Sequence, residues 1–378
     1  MGPDNRETIG KAVTPLISLK TALIVKIIRQ LGDVTEIEID INGLTGKAIN
    51  YDQLTGPVLA GDRVIVNTTA VDLKLGSGGL SFVLWNRERG EFDKSGAGHL
   101  MKLRYTPLQH AGLSVEEEDS PYHEVLENAS DIDGMPVVAC GLHSQLLPVV
   151  VTAKALRPKV KIAYIMGEGG ALPAAFSGVA RWLKTEGLLE AVISSGQAFG
   201  ADFEAVNIYS ALAAAKLVVG ADIAVVAMGP GIAGTGTALG HTGIEQGQTL
   251  NAAHSLGGRP VMVLRISQGD KRARHHGVSH HCITALSLVS LASATIALPQ
   301  LTGDLSGIAA TIDDQIHRNK LAQRHDIRHI KNDITLAELK RVKDIGGPGA
   351  STMGRGPLEE PAFFLAAGAA AIAALDLI

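Results

Sequence analysis

Four histidines fall within seven residues, His275, His276, His280 and His281, each able to move a proton or hold a metal ion. Just before and among them, Arg265, Lys271, Arg272 and Arg274 stand against a single acid, Asp270. Such an excess of cationic side chains suits phosphate or carboxylate. A serine N-cap at Ser279 would place His280 and His281 in the first turn of a helix, where the dipole disfavours imidazolium and leaves a neutral base. The reading is therefore His280 or His281 as acid–base, with Asp270 orienting or neutralising it. The alternative is a metal held by His275, His280 and His281, with Asp270 or His143 as a further donor. The flanking cations argue against metal, because only Asp270 offsets their repulsion of a divalent ion. Cys282, beside the histidines, reads as a buried inert thiol rather than a nucleophile.

Three glycine-rich loops accompany the histidines. Gly229-Pro-Gly231-Ile-Ala-Gly234 spells G-x-G-x-x-G after an apolar run, but Gly236, Gly240 and Gly243 would break the helix that a dinucleotide fingerprint opens. No acid follows about 20 residues on to hold a ribose, and no lysine completes a P-loop. What survives is an anion nest from the backbone of Gly229, Gly231, Gly234 and Gly236, with hydroxyls from Thr235 and Thr237. Gly167, Gly169 and Gly170 precede Pro173, which the pattern places in the first turn of a helix over 171–185, an anion-binding N-terminus. In the third loop, Gly196 to Asp202, Asp202 reads as an N-cap, with Glu204 and Asn207 on the first turns behind it.

The elements that must position these groups follow from periodicity. From Met135 onward, apolar runs at 135–140, 160–166, 191–195, 221–228, 260–267 and 294–298 alternate with helical stretches at 146–156, 171–185, 203–217, 244–256 and 283–291. Strands spaced by helices predict right-handed βαβ units in a doubly wound, mostly parallel sheet. Loops after successive strands then emerge at one edge of that sheet, where open α/β proteins hold ligands. Residues 16–98 differ: short alternating strands, with Asn42-Gly43 as a type I′ turn, predict a small β-barrel of OB or related type. Only Phe82 and Trp85 in its last strand could stack on bases, so a structural role is the better reading. His99, Lys102 and Arg104 read as solvated charges on a connecting strand. Beyond Asp304 the chain looks helical, with Thr335-Leu-Ala-Glu338 as a capping box. The expected organisation is a barrel over 16–98, a parallel α/β domain over 119–302, and a helical C-terminal extension over 303–378.

Composition bounds the partners. A net charge of −4 gives no global attraction for nucleic acid, and two cysteines, Cys140 and Cys282, form no disulfide framework and suit a reducing cytosol. The N-terminus, with Asp4, Arg6 and Glu7 before an apolar run interrupted by lysine, does not read as an export signal. The apolar run from Ala362 to Leu375 is short of the ~20 residues a membrane span needs and reads as a buried or interface helix. A cytoplasmic homo-oligomer is expected, with no membrane partner.

Several ordered motifs carry a family resemblance: His99-Leu-Met-Lys-Leu-Arg-Tyr-Thr-Pro107, Asp133-Gly-Met-Pro136, Gly196-Gln-Ala198, Glu204-Ala-Val-Asn207, Gly229-Pro-Gly231, Gly234-Thr-Gly-Thr237, Ser279-His-His281 and Thr352-Met-Gly-Arg-Gly-Pro357. In these the chain resembles the domain-of-unknown-function 3866 family of bacterial proteins. The resemblance implies a bacterial cytosolic protein and brings no activity with it. From the residues themselves, the chain reads as an enzyme on a small anionic metabolite, phosphorylated or nucleotide-like. Glycine-loop amides would hold the anion, and Arg265 and Arg274 would act as counter-charges. The sequence names no cofactor. The rival readings are a non-catalytic ligand-binding or regulatory protein and, behind it, a metal-dependent hydrolase using the histidines.

Overall fold

The computed structural model describes residues 16–170 and 172–378. The leader reading at Asp4, Arg6 and Glu7 lies outside the described residues. Period-two alternation builds the expected barrel. Its strands are β1 (Leu19–Leu31), β2 (Val34–Ile41), β3 (Leu44–Tyr51), β4 (Arg63–Asn67) and β5 (Leu80–Asn86), closed in the order β1-β2-β3-β5-β4. Closure leaves no strand edge, and Ile24, Ile37, Ile39, Val64 and Val66 fill the interior. Asn42 and Gly43 turn between β2 and β3 with φ of 53° and 86°, both positive as a type I′ hairpin demands. Neither aromatic is free as a platform: Phe82 stacks on Tyr51, and the Trp85 indole N–H donates to the Arg89 carbonyl at 3.2 Å.

The chain divides between Ser95 and Gly96 into two compact units. The second opens with a ribbon of β6 (Leu100–Lys102) and β7 (His110–Gly112). Lys102 is not solvated as its composition suggests. It is buried, donating to the carbonyls of Gly196 and Ala198 at 2.6 and 3.1 Å and pairing with Glu204 at 3.1 Å. Burial is tolerated because the ammonium finds both carbonyls and a carboxylate.

Eight strands then form one sheet, parallel throughout: β8 (Pro136–Ala139), β9 (Ile162–Gly167), β10 (Ala191–Ser195), β11 (Phe203–Ala205), β12 (Ile223–Met228), β13 (Arg259–Met262), β16 (Thr295–Pro299) and β17 (Asp326–Ile330). A two-stranded ribbon, β14 (Ile266–Ser267) with β15 (Gly277–Val278), interrupts the series. The sheet order is β11-β10-β9-β12-β8-β13-β16-β17. From β8 the chain winds to one edge, returns to insert β12 beside β8, then crosses over to lay β13 on the other side. β8 and β13 are neighbours whose onward connections run in opposite directions, to β9 and to β16, which opens at the carboxyl edge the crevice an open α/β sheet offers a ligand; the loop after β12 emerges at the same edge.

Two strands of this sheet escaped the sequence reading. β11 spans three residues where a helix was expected. The helix there is Ile208–Leu217, capped by the Asn207 side chain, which accepts from the N–H groups of Tyr209 and Ser210. Asp202 instead accepts from Val192 N–H and pairs with Lys184. β17, Asp-Ile-Arg-His-Ile, lies in the stretch expected to be helical; as an edge strand paired only with β16 it lacks the apolar run of a strand buried on both faces.

The C-terminal helix Pro361–Leu375 is buried along nearly its whole length. Its alanines allow close approach to the helix Leu146–Leu156 and to β16, and Phe363 and Phe364 complete that core. The apolar surface that suggested a subunit interface is thus engaged inside the chain. Thr335 is not a cap in a capping box: its N–H donates to Asn332 Oδ1, and its buried hydroxyl meets Asn332 and Thr152. No helix among the described residues is long and apolar enough to cross a membrane.

Candidate functional site

Two buried glutamines hold the strand ends apart where the crevice opens. Gln246 donates through Nε2 to the carbonyls of Ala139 and Val263 at 2.8 and 2.7 Å. Gln145 accepts from Gly141 and Leu142 N–H and donates to the Leu264 carbonyl at 3.2 Å. Val263 N–H still reaches the Ala139 carbonyl at 3.0 Å, and beyond that point the two amides supply partners to the main chain of Gly141, Leu142, Val263 and Leu264 as the β8–β13 ladder ends.

Past β13 the chain rises through Arg265 into the basic loop, which β14 and β15 pinch at its base. Ser279 caps the following helix as its sequence suggests, its Oγ accepting from His281 N–H at 3.3 Å. The helix is short, His280–Thr284, and runs into a π turn over Ala285–Val289. His280 and His281 occupy its first turn. His275, on the 3₁₀ turn Ala273–His275, folds back so that its Nδ1 lies 2.8 Å from Ser279 Oγ.

The three imidazoles form one cluster: each offers a ring nitrogen, and the three lie within 4.8 Å of one another. A fourth joins them from the loop after β12. His241 stacks on His281 with centroids 3.9 Å apart and planes 11° from parallel. Its Nε2 lies 3.0 Å from the Ala238 carbonyl, which only accepts, so Nε2 carries the proton and Nδ1 is bare. His241 Nδ1, His280 Nε2 and His281 Nδ1 are all buried without a hydrogen-bond partner. His241 stands between Gly240 and Thr242 in the glycine-rich loop, and a lone histidine among glycines is all that marks it in the sequence.

Burial, and then the neighbouring histidines and arginines, keep these rings neutral. His281 is lowered to about 3 and His275 to about 4, and His280 and His241 are lowered as well, in each case chiefly by desolvation. An imidazole held that low is a feeble proton acceptor at pH 7, but its lone pair is available.

Arginines face the same space. A cavity of about 150 Å³ is lined by Gly234, Gly236, Arg265, Arg272, Arg274, His275 and His281, among others, and closed on one side by Met353. Asp270 does not orient a histidine. Its two oxygens accept from Arg272 Nε and Nη2 at 2.9 and 2.7 Å, and Arg265 Nη2 lies 3.6 Å away. These contacts hold its carboxyl well below the usual range, the Arg272 hydrogen bonds acting first. Asp270 therefore belongs to the arginines, whose fixed fork matches a carboxylate better than an imidazole does. Burial pushes Arg265 down, and its backbone N–H meets the Cys282 sulfur at 3.2 Å. Burial likewise raises Cys282, to about 11, in keeping with an inert thiol.

The glycine loops contribute less than expected. Gly234 and Gly236 reach the cavity, whereas Thr235 and Thr237 bond to each other at 3.0 Å and tie the loop through Gly240. Gly229 packs against Leu172, and Gly231, with φ of 115°, faces open space. Gly167 and Gly169 lie against the Glu245 carboxylate, to which the Gly169 N–H donates. That loop also lacks a helix N-terminus. Pro173 is extended, and the helix begins later, at Gly178–Thr185, capped by Ser177. His143 bonds to Ser177 Oγ at 2.7 Å, away from the cluster's ligand atoms. Glu204 pairs with Lys102 and Ser194, and Asn207 serves as a cap.

A larger cleft of about 510 Å³ lies beside Glu116, His123 and Asn207. No lysine or arginine lines it, and Asn207 is engaged as a cap. Convergent chemistry favours the smaller cavity over the larger.

Fold and site together define a class: a parallel α/β unit, accompanied by a small closed barrel, whose carboxyl-edge loops gather neutral histidines and arginines around one cavity. The chain belongs to the family described as protein of unknown function (DUF3866), which it matches over residues 47–371. No curated protein and no solved structure matches it.

Proposed function

We propose that the protein is an enzyme acting on a small metabolite that bears an oxyanion, phosphate above all. The oxyanion is held by Arg274 and Arg265, with Arg272, already paired to Asp270, beside them, and the chemistry is carried at the adjoining histidines. One observation supports this reading: cationic forks and neutral imidazoles line the same cavity at the switch point of the sheet. At about 150 Å³ the cavity is small beside the roughly 300–1,000 Å³ of a usual ligand pocket, which suits a phosphate group better than a whole nucleotide. The rest of such a substrate would extend past Gly236 and Met353. Arg274, exposed on the loop, is the arginine least needed by the fold and the best probe.

The test is thermal stabilisation of the full chain by inorganic phosphate and by a panel of phosphorylated metabolites, with products followed by phosphorus NMR. Phosphate should raise the melting temperature of the native protein, by the equivalent of about 2.7 kcal/mol at a hundredfold excess over Kd. Arg274→Ala should lose most of that shift. Equal shifts in both proteins would overturn the binding site, and a ligand that binds and is recovered intact would overturn the enzyme.

A further inference from the structure

We propose that His275, His280 and His281 form a binding site for a divalent first-row transition ion of zinc type. The ion's remaining position would face the arginines and be filled by the oxyanion. This deepens the function proposed above and rests on it for the identity of that fourth ligand.

The cluster has the donor set that such ions prefer. Three imidazoles with one open position is a known arrangement for zinc outside purely structural sites, and imidazole also suits copper, nickel and iron. Tetrahedral ligands at 2.0–2.1 Å from zinc stand roughly 3.4 Å apart, so nitrogens within 4.8 Å need to close by at most about 1.4 Å. Small rotations of the two rings on the first turn supply that.

Two further observations point to a ligand. His281 is more than nine-tenths buried, yet its Nδ1 has no partner, and His280 Nε2 is orphaned beside it. Buried polar atoms rarely go unpaired, and two in one cluster mark a place where something binds. His275 is also oriented: its Nδ1 lies 2.8 Å from Ser279 Oγ, which fixes the ring, and the tautomer that donates to that oxygen leaves the lone pair on Nε2 for a metal ion. The same serine caps the helix that carries the other two ligands, so one side chain sets the geometry of the whole group.

The objection drawn from the basic sequence weakens in three dimensions. Arg272 is neutralised by a bidentate bond to Asp270, and Arg265 lies beside the same carboxylate. The net positive charge that remains sits across the cavity, where it would hold an anion against the metal. Cation and anion would thus favour each other, each tightening the binding of the other.

Full-length protein, freed of metal by chelation and carrying no histidine tag, is titrated with zinc chloride by calorimetry at pH 7.5. Cobalt(II) serves in parallel as a visible-absorption probe of coordination. One equivalent of zinc is expected. His281→Ala and His280→Ala should each weaken binding by ~100-fold or more, while His276→Ala, an exposed neighbour outside the cluster, should match wild type. His280 is only half-buried, so its variant keeps the test open if loss of His281 impairs folding. Phosphate should then shift the cobalt spectrum and tighten zinc binding. Failure to bind one equivalent, or equal affinity in all three variants, overturns the metal site. Phosphate still stabilising the metal-free protein would leave the oxyanion pocket standing without it. Zinc binding indifferent to phosphate would keep the metal and overturn the shared ligand.

Discussion

Glu360 is the residue whose loss should be felt farthest. It is fully buried just before the C-terminal helix. Its Oε1 accepts from the N–H groups of Gln268 and Gly269 at 2.6 and 3.2 Å, and its Oε2 accepts from Arg355 Nε at 2.5 Å. One carboxylate therefore fastens the loop that leads into Asp270 to the segment that carries Met353. Glu360→Gln preserves the shape and one acceptor oxygen but presents Arg355 with an amide and no charge. Breaking a buried ion pair costs about 3–5 kcal/mol, and a charge-assisted hydrogen bond alone contributes about 1.5–3 kcal/mol. The Arg355 side chain keeps 27% of its surface in water, so it recovers part of its hydration. The expected loss is about 2–4 kcal/mol. At ~2 °C per kcal/mol for a unit of this size, the melting temperature should fall by roughly 4–8 °C. Thermal and urea melts of wild type, Glu360→Gln, Arg355→Met and the double variant supply the test. The coupling between the two residues should exceed about 1.5 kcal/mol. A Glu360→Gln protein within 1 kcal/mol of wild type, or strictly additive variants, would refute the reasoning.

Further outcomes follow from the same packing. In the metal-free protein, burial lowers His143 and His275 to about 4 and His281 to about 3, against ~6.5 in an unfolded chain. Between those values the unfolded state binds protons that the folded state refuses. Stability should therefore be full above about pH 6.5 and fall as pH drops toward 4, by up to ~1.4 kcal/mol per pH unit for His143 and less for the two rings beside the cavity. Urea midpoints that stay level from pH 7 to 5 would contradict this. Two helical glycines should respond with opposite signs. Gly368→Ala places a β-carbon 1.8 Å from Thr335 Oγ1 and 2.6 Å from Asn332 Nδ2, so it should destabilise by more than ~2 kcal/mol despite a helix-propensity gain of about 1. Gly307→Ala meets nothing within 4 Å and should stabilise by roughly 0.5–1 kcal/mol, as chemical denaturation can show.

Much of this protein is legible from its residues alone. Period-two alternation with Asn42-Gly43 specifies the barrel, and apolar runs spaced by helical stretches specify a parallel sheet, because both patterns are set by which faces must leave water. The Ser279 cap and the pairing of His280 with His281 are equally local, since a cap acts within three residues. Neighbouring cations and histidines in one short run likewise announce a site without any fold. Long-range pairing was not legible. Lys102 reads as solvated until Gly196, Ala198 and Glu204, about a hundred residues on, close around it. Asp270 shows the same failure at short range: it reads as a partner for histidine, yet Arg272, two residues on, takes both its oxygens. The glycines at 167–170 read as an anion cradle until Glu245 arrives from another helix to fill it. His241 gains its meaning only where the crossover from β12 to β13 stacks it on His281. Local sequence determines conformation and charge, whereas a partner for each charge is chosen by which loops the sheet order brings to the same edge.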